Sequence, residues 1–249
     1  MQSSVAQAMY KYASSWPDKK YKQISPSSLG GCMRSHYYKL IGLPQTTPPN
    51  PGALLNFELG RLWEEKVTKG LRYMGVPFID QFYVEDKELN CGGTLDFAVF
   101  EPETCEWTVV DSKTESVYSP MYRKRNGETF LSSNKQYVIQ LATYKLLLER
   151  NGFKVSDKGR FVVITKDNGM IDEPIAHLDE KLEKVVLARI EKLNKCLEEG
   201  TVPACECEGW KVGYCNYGNP NTSTTNTKGK VVNTQCCGTP EQVESWKKG

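Results

Sequence analysis

Residues 92–113 place two aspartates, Asp96 and Asp111, in an apolar setting. Gly92-Gly93-Thr94-Leu95-Asp96 leads through a short turn at Pro102-Glu103-Thr104-Cys105 into Val109-Val110-Asp111-Ser112-Lys113. Leu95, Phe97 and Val99 alternate with Asp96, and two valines run into Asp111, which is the pattern of strands in a core sheet. Strand side chains alternate faces with period two, so Asp111 and Lys113 share a face. A turn centred between residues 103 and 104 sets Asp96 opposite Asp111. Carboxylates so placed lie about 5 Å apart, an arrangement that is destabilising unless a cation lies between them.

The 249 residues, 39 % hydrophobic and 25 % charged, suffice for one sizeable core, so a single domain over 1–249 is expected, with its core at about 55–200. A net charge of +2 does not decide whether the partner is a polyanion, because recognition needs a local basic patch. Arg123-Lys124-Arg125, beside Tyr118 and Tyr122 in a stretch without periodicity, reads as a basic loop, with an ordinary solvated loop as the plain alternative. No run approaches the roughly 18 apolar residues of a membrane span, and residues 1–22 lack an apolar signal region. No membrane association and a cytoplasmic location are therefore expected.

Local patterns place the remaining elements. Ser25-Pro26-Ser27-Ser28-Leu29 starts a helix that is expected to continue through Cys32 to Leu40, followed by a loop over 44–51. Residues 57–74 have helical spacing, with Leu59, Leu62, Trp63, Val67 and Leu71 facing a core. Three strands follow at 78–84, 93–100 and 107–113. A helix over 134–150 closes at Asn151-Gly152, a strand spans 160–166, and an amphipathic helix over 179–199 turns Leu182, Val185, Val186, Ile190, Leu193 and Leu197 inward. Residues 216–234 have no core-forming pattern and read as an irregular insertion.

This order, helix, three strands with carboxylates on the second and third, helix, strand, resembles the core of the PD-(D/E)XK nucleases. The likeness is to the RecB-type branch, and within it to the iron–sulfur exonucleases of the CRISPR-associated Cas-four group and their phage relatives. Four motifs carry it: Gly60-Arg61-Leu62-Trp63-Glu64, Gly93-Thr94-Leu95-Asp96, Asp111-Ser112-Lys113, and Gln140-Leu141-Ala142-Thr143-Tyr144, similar to the branch's Q-x-x-x-Y. The resemblance implies an α/β fold with a mixed central sheet flanked by helices. It further implies a catalytic set of Glu64, Asp96, Asp111, Lys113, Gln140 and Tyr144. Glu64, Asp96, Asp111 and the Ser112 carbonyl would be hard oxygen ligands for Mg²⁺ or Mn²⁺, with Lys113 acting on the attacking water. Gln140 and Tyr144, at i and i+4, share a helix face and could reach one substrate or metal-bound group. The partner would be single-stranded DNA or duplex ends in a bacterial, archaeal or phage-infected cell, bound in part through Arg123, Lys124 and Arg125; an oligomer is possible. The activity implied is that of an exonuclease, with an endonuclease or flap nuclease, or a noncatalytic DNA-binding subunit, as alternatives.

Nine cysteines without a secretion signal favour metal or redox chemistry over a disulfide framework. Ser25-Pro26-Ser27-Ser28-Leu29-Gly30-Gly31-Cys32-Met33-Arg34-Ser35-His36-Tyr37-Tyr38 is similar to the opening of the iron–sulfur members, in which one early cysteine joins three late ones around a [4Fe-4S] cluster. The late cysteines here are spaced differently. The ligand set expected is Cys32, Cys207, Cys215 and Cys236, with Cys205 and Cys237 as substitutes and zinc as the alternative metal. Residues 24–42 and 201–249 would form this N-/C-terminal cluster region. Cys91, Cys105 and Cys196 read as ordinary side chains, and His36 and His177 have no ligand spacing.

Overall fold

The computed structural model describes residues 4–16, 20–117, 130–207, 212–213, 215–225, 231–233, 235 and 237–246. Its contacts divide the chain into two compact units, one formed by 23–30 with 57–191 and the other by 1–22, 31–56 and 192–249.

The larger unit is built on a mixed sheet. β1 (Phe78–Asp86), β2 (Cys91–Glu101) and β3 (Glu106–Glu115) form an antiparallel meander, and β4 (Lys158–Thr165) joins β3 in parallel. Two short strands, β5 (Ile171–Asp172) and β6 (Ile175–His177), pair antiparallel with β4. Neither has the length to leave a pattern in the sequence, and neither was expected. The β2–β3 register pairs Phe97 with Val110 and Ala98 with Val109, so the ladder continued by one residue sets Asp96 opposite Asp111 as the turn geometry required.

Phe97, Val99 and Val110 share one face of the sheet and are covered by Val67 and Leu71 of the helix α4 (Pro51–Tyr73) together with Val76 and Phe78. Roughly 1.5–3 kcal/mol accompanies full burial of each such side chain. Leu59 and Leu62, expected on this apolar stripe, are 45 % and 48 % exposed; the packed stripe begins at Val67. α4 also starts earlier than its periodicity suggested, with Pro51 in its first turn and Asn50 Oδ1 accepting the Ala53 amide at 2.9 Å.

The opposite face carries Asp111, Phe161 and Val163, and α6 (Lys135–Arg150) crosses it with Leu141, Leu147 and Leu148 fully buried. Asn134 precedes α6 and Gly152, at φ 86°, follows it, as the end signals indicated. α2 (Pro26–Leu29) and α5 (Phe130–Ser133) are single turns.

The expected helix from Ser25 to Leu40 is instead two. Gly30 lies so close to the backbone of Gln136 that any side chain would run into it, and the chain resumes as α3 (Met33–Leu40) with Cys32 at its N-cap. The Gly30-Gly31 pair marks the break, and the close approach to Gln136 requires glycine at its first position.

In the smaller unit, α3 lies beside the C-terminal segments, and α1 (Val5–Ser14) is held by a capping box between Ser4 and Gln7. The 216–234 region includes a 3₁₀ turn at Pro220–Thr222 and a two-stranded ladder, β7 (Ser223–Thr225) with β8 (Val231–Asn233), where an irregular insertion was expected. α8 (Pro240–Trp246) ends the described chain. α7 (Glu180–Glu199) is continuous and stops at Gly200, φ 64°. Val186, Ile190 and Leu193 are buried, but Val185, expected inward, is 46 % exposed because one more residue around the helix carries it past the core face. No helix among the described residues is long and apolar enough to cross a membrane.

Candidate active site

Asp96, Asp111 and Lys113 converge where β2 parts from both neighbours. The β1 ladder skips the pair that would involve Asp96, and the β3 ladder ends at Phe97–Val110. Asp96 Oδ2 accepts instead from the Ser112 amide at 3.0 Å. Asp111, 2 % exposed, has its Oδ1 bound by Gln140 Nε2 at 2.7 Å and its Oδ2 ion-paired to the Lys113 ammonium. Lys113 Nζ also points at the Ser112 carbonyl, 3.4 Å away, and lies over the Tyr137 ring at 4.9 Å from its centroid. Glu64, half-buried on α4, accepts from Gln81 Nε2 at 3.4 Å.

The electrostatics are those of a site short of positive charge. Burial, then the Asp111 charge, pushes Asp96 up to about 8 against the opposing pull of Lys113. Burial and the Asp111 charge also raise Glu64. Burial alone would depress Lys113, but Asp111 and Asp96 outweigh it, so the ammonium stays charged. Among the described residues, Asp96, Asp111 and Glu64 thus share the Lys113 ammonium, with Arg61 acting on Glu64 as well. Their hard oxygen donors suit Mg²⁺ or Mn²⁺, and a divalent cation would remove the penalty on Asp96.

Gln140 and Tyr144 do share a helix face, yet they reach different partners. Gln140 holds the Asp111 carboxylate, whereas the Tyr144 hydroxyl donates to the Thr94 carbonyl at 2.6 Å and stands above Gly93, where a side chain would crowd it. Burial raises Tyr144 above the usual tyrosine range, with Asp96 and Asp111 adding to it. Arg123, Lys124 and Arg125 lie outside the described residues. Tyr137 and Gln81 were missed. Tyr137 stands one turn before Gln140 on the same helix and could have been found by that spacing; nothing in the sequence marks Gln81.

Cys32, Cys205 and Cys207 bring their Sγ atoms within 4.8 Å of one another, and Cys237 Sγ donates to Cys205 Sγ at 3.4 Å. Hydrogen bonds from Cys207 and then Cys237 hold the Cys32 thiol well below its ordinary range. The Glu206 amide also donates to Cys32 Sγ, and the Glu206 carboxylate accepts from the Met33 amide at α3. Arg34 clasps both thiol-bearing segments, through the Pro203 carbonyl at 2.7 Å and the Cys237 carbonyl at 3.2 Å, while Tyr38 binds the Gly238 carbonyl at 2.6 Å. Cys205 and Cys237 therefore sit beside Cys32 and Cys207. Cys215 is buried and does not belong to the close trio; Cys236 lies outside the described residues. The three close thiols of Cys32, Cys205 and Cys207, with Cys237 beside Cys205, could bind a metal, and thiolate donors of this kind suit an iron–sulfur cluster or zinc. Cys91 is fully buried, which pushes its thiol up to about 12, and Cys105 is exposed.

The fold and side chains define a mixed α/β protein with a carboxylate–lysine site on its central sheet and a thiol cluster in its smaller unit. No family model matches the chain, and no curated protein matches it. Among solved structures, SSO0001 is similar with a TM-score of 0.48 and 14 % identity, over 85 % of this chain and 90 % of that one. A phage related exonuclease from Haemophilus somnus 129PT is similar with a TM-score of 0.44 and 15 % identity, over 72 % of this chain and 96 % of that one.

Proposed function

We propose that the protein is a metal-dependent deoxyribonuclease of PD-(D/E)XK type, an exonuclease acting on single-stranded DNA or duplex ends. The observation that supports this most directly is the Asp96–Asp111–Lys113 constellation, two acidic groups short of positive charge beside a charged lysine. Glu64, Asp96, Asp111 and the Ser112 carbonyl would hold Mg²⁺ or Mn²⁺. The ion, when bound, supplies Lewis acidity to the scissile phosphate and lowers the pKa of water.

The rest of the chemistry belongs to the chain. Lys113 places a fixed positive charge beside the reacting phosphate, where preorganised charge is worth a few kcal/mol in the transition state. Gln140 fixes the rotamer of Asp111 and leaves its Oδ2 facing Lys113. Tyr144 holds the strand bearing Asp96 through Thr94 and is a positioning residue. The Cys32, Cys205, Cys207 and Cys237 thiols are proposed to hold a [4Fe-4S] cluster of structural role, tying α3 to the C-terminal segments.

Incubation of end-labelled linear and covalently closed single-stranded DNA with Mg²⁺ tests the reading. Loss of the linear substrate alone supports an exonuclease. Cutting of the circle would make the enzyme an endonuclease, and binding without cleavage would favour a noncatalytic subunit.

A further inference from the structure

Gln81 stands in the middle of β1 with φ 47°, the left-handed region that residues other than glycine seldom enter. The pairs on either side, Asp80–Phe97 and Phe82–Leu95, keep a single register, so no extra residue has been accommodated there. The position that register sets opposite Gln81 is Asp96. β1 is an edge strand of the sheet, and a strained residue there persists only where its surroundings over-determine it; such residues gather at functional sites. Packing does not hold this one, for the Gln81 side chain is exposed. What its conformation secures is the bond from Nε2 to Glu64 Oε2 at 3.4 Å, which links β1 to α4.

We propose that Gln81 is a positioning residue for Glu64. Its amide fixes one carboxylate oxygen and so leaves the other for the divalent cation held with Asp96 and Asp111, an assignment that rests on the proposed function. A ligand whose second oxygen is tethered loses less freedom when the ion binds. The strain in β1 is then the cost of aiming that amide at Glu64 from the strand beside Asp96.

The test is calorimetric titration of Mn²⁺ into the metal-free full-length protein. Wild type, Gln81→Asn, Gln81→Gly, Glu64→Ala and the Glu64→Ala/Gln81→Asn double variant are compared, each with its melting temperature. Asparagine and glycine both accept positive φ and neither reaches Glu64, so both single variants keep or raise the melting temperature. Each should weaken Mn²⁺ binding on the order of tenfold, and the double variant should bind no more weakly than Glu64→Ala alone. Wild-type affinity in the Gln81 variants, or losses that add in the double variant, would overturn the role of Gln81 while leaving the metal site standing. Absence of Mn²⁺ binding by wild type, or undiminished binding by Glu64→Ala, would overturn the proposed metal site and this inference with it.

Discussion

The Tyr144 hydroxyl donates to the Thr94 carbonyl at 2.6 Å, two residues before Asp96, so a helix side chain grips the strand that carries a candidate metal ligand. Tyr144→Phe removes this one bond and keeps the ring in place. The expected cost is about 1 kcal/mol of stability together with a several-fold fall in kcat and little change in KM for DNA. Thermal denaturation and steady-state cleavage measure the two separately. A raised KM at unchanged kcat would mean that the hydroxyl contacts DNA instead.

Asp111 and Lys113 form a buried pair whose side chains are 3 % and 20 % exposed. Asp111→Ala and Lys113→Ala should each abolish cleavage, and Lys113→Ala also strands the buried Asp111 carboxylate, which costs about 3–5 kcal/mol. Lys113→Ala should therefore melt well below wild type in the absence of metal. The double change Asp111→Asn/Lys113→Met should recover much of that loss without recovering activity.

Metal-free stability should fall as pH rises. Asp96 is held protonated in the folded protein to about pH 8, whereas in the unfolded chain it ionises near the ordinary value of about 4. The unfolded state binds fewer protons between those limits, so raising the pH through that window favours unfolding. Asp96→Asn removes the penalty. In chelator at pH 8 it should melt above wild type, and Mg²⁺ should raise the melting temperature of wild type but not of the variant. A flat wild-type profile in chelator would contradict the electrostatic reading of the site.

Protein purified without oxygen should contain iron and acid-labile sulfide and absorb broadly in the visible. Cys205→Ser and Cys237→Ser should each lose the metal, whereas Cys215→Ser and Cys91→Ser should retain it. One zinc per chain in colourless protein would replace the cluster and keep the ligands. Retention of metal by Cys205→Ser would remove the ligand set itself.

The hairpin was legible because a short turn, period-two alternation and a fixed register leave little choice: the observed pairs run from Glu101–Glu106 to Phe97–Val110, in the register that would set Asp96 opposite Asp111 one residue further on. The helix carrying Gln140 and Tyr144 was legible from its end signals, Asn134 before it and Asn151-Gly152 after it, but their targets were not, since shared spacing says nothing about length or reach. Cys32 could be read from its motif. Of its neighbours, Cys207 was expected, whereas Cys205 and Cys237 stood only as substitutes, because spacing alone does not rank one late cysteine above the next. α1 was hidden by its own surface: Val5, Met9, Tyr10 and Tyr12 all face outward, although Ser4 and Gln7 form a capping box that marks its start. The strain at Gln81 is a property of the folded backbone, with no residue-type signal to announce it.

The most direct measurement is single-turnover cleavage of end-labelled single-stranded DNA with Mn²⁺ by wild type and by Lys113→Met, both verified as folded by their melting transitions. The proposed active site requires metal-dependent release of nucleotides by wild type and a loss of at least about 100-fold in the variant. Cleavage by Lys113→Met at the wild-type rate, or by wild type at full rate in chelator, would contradict it.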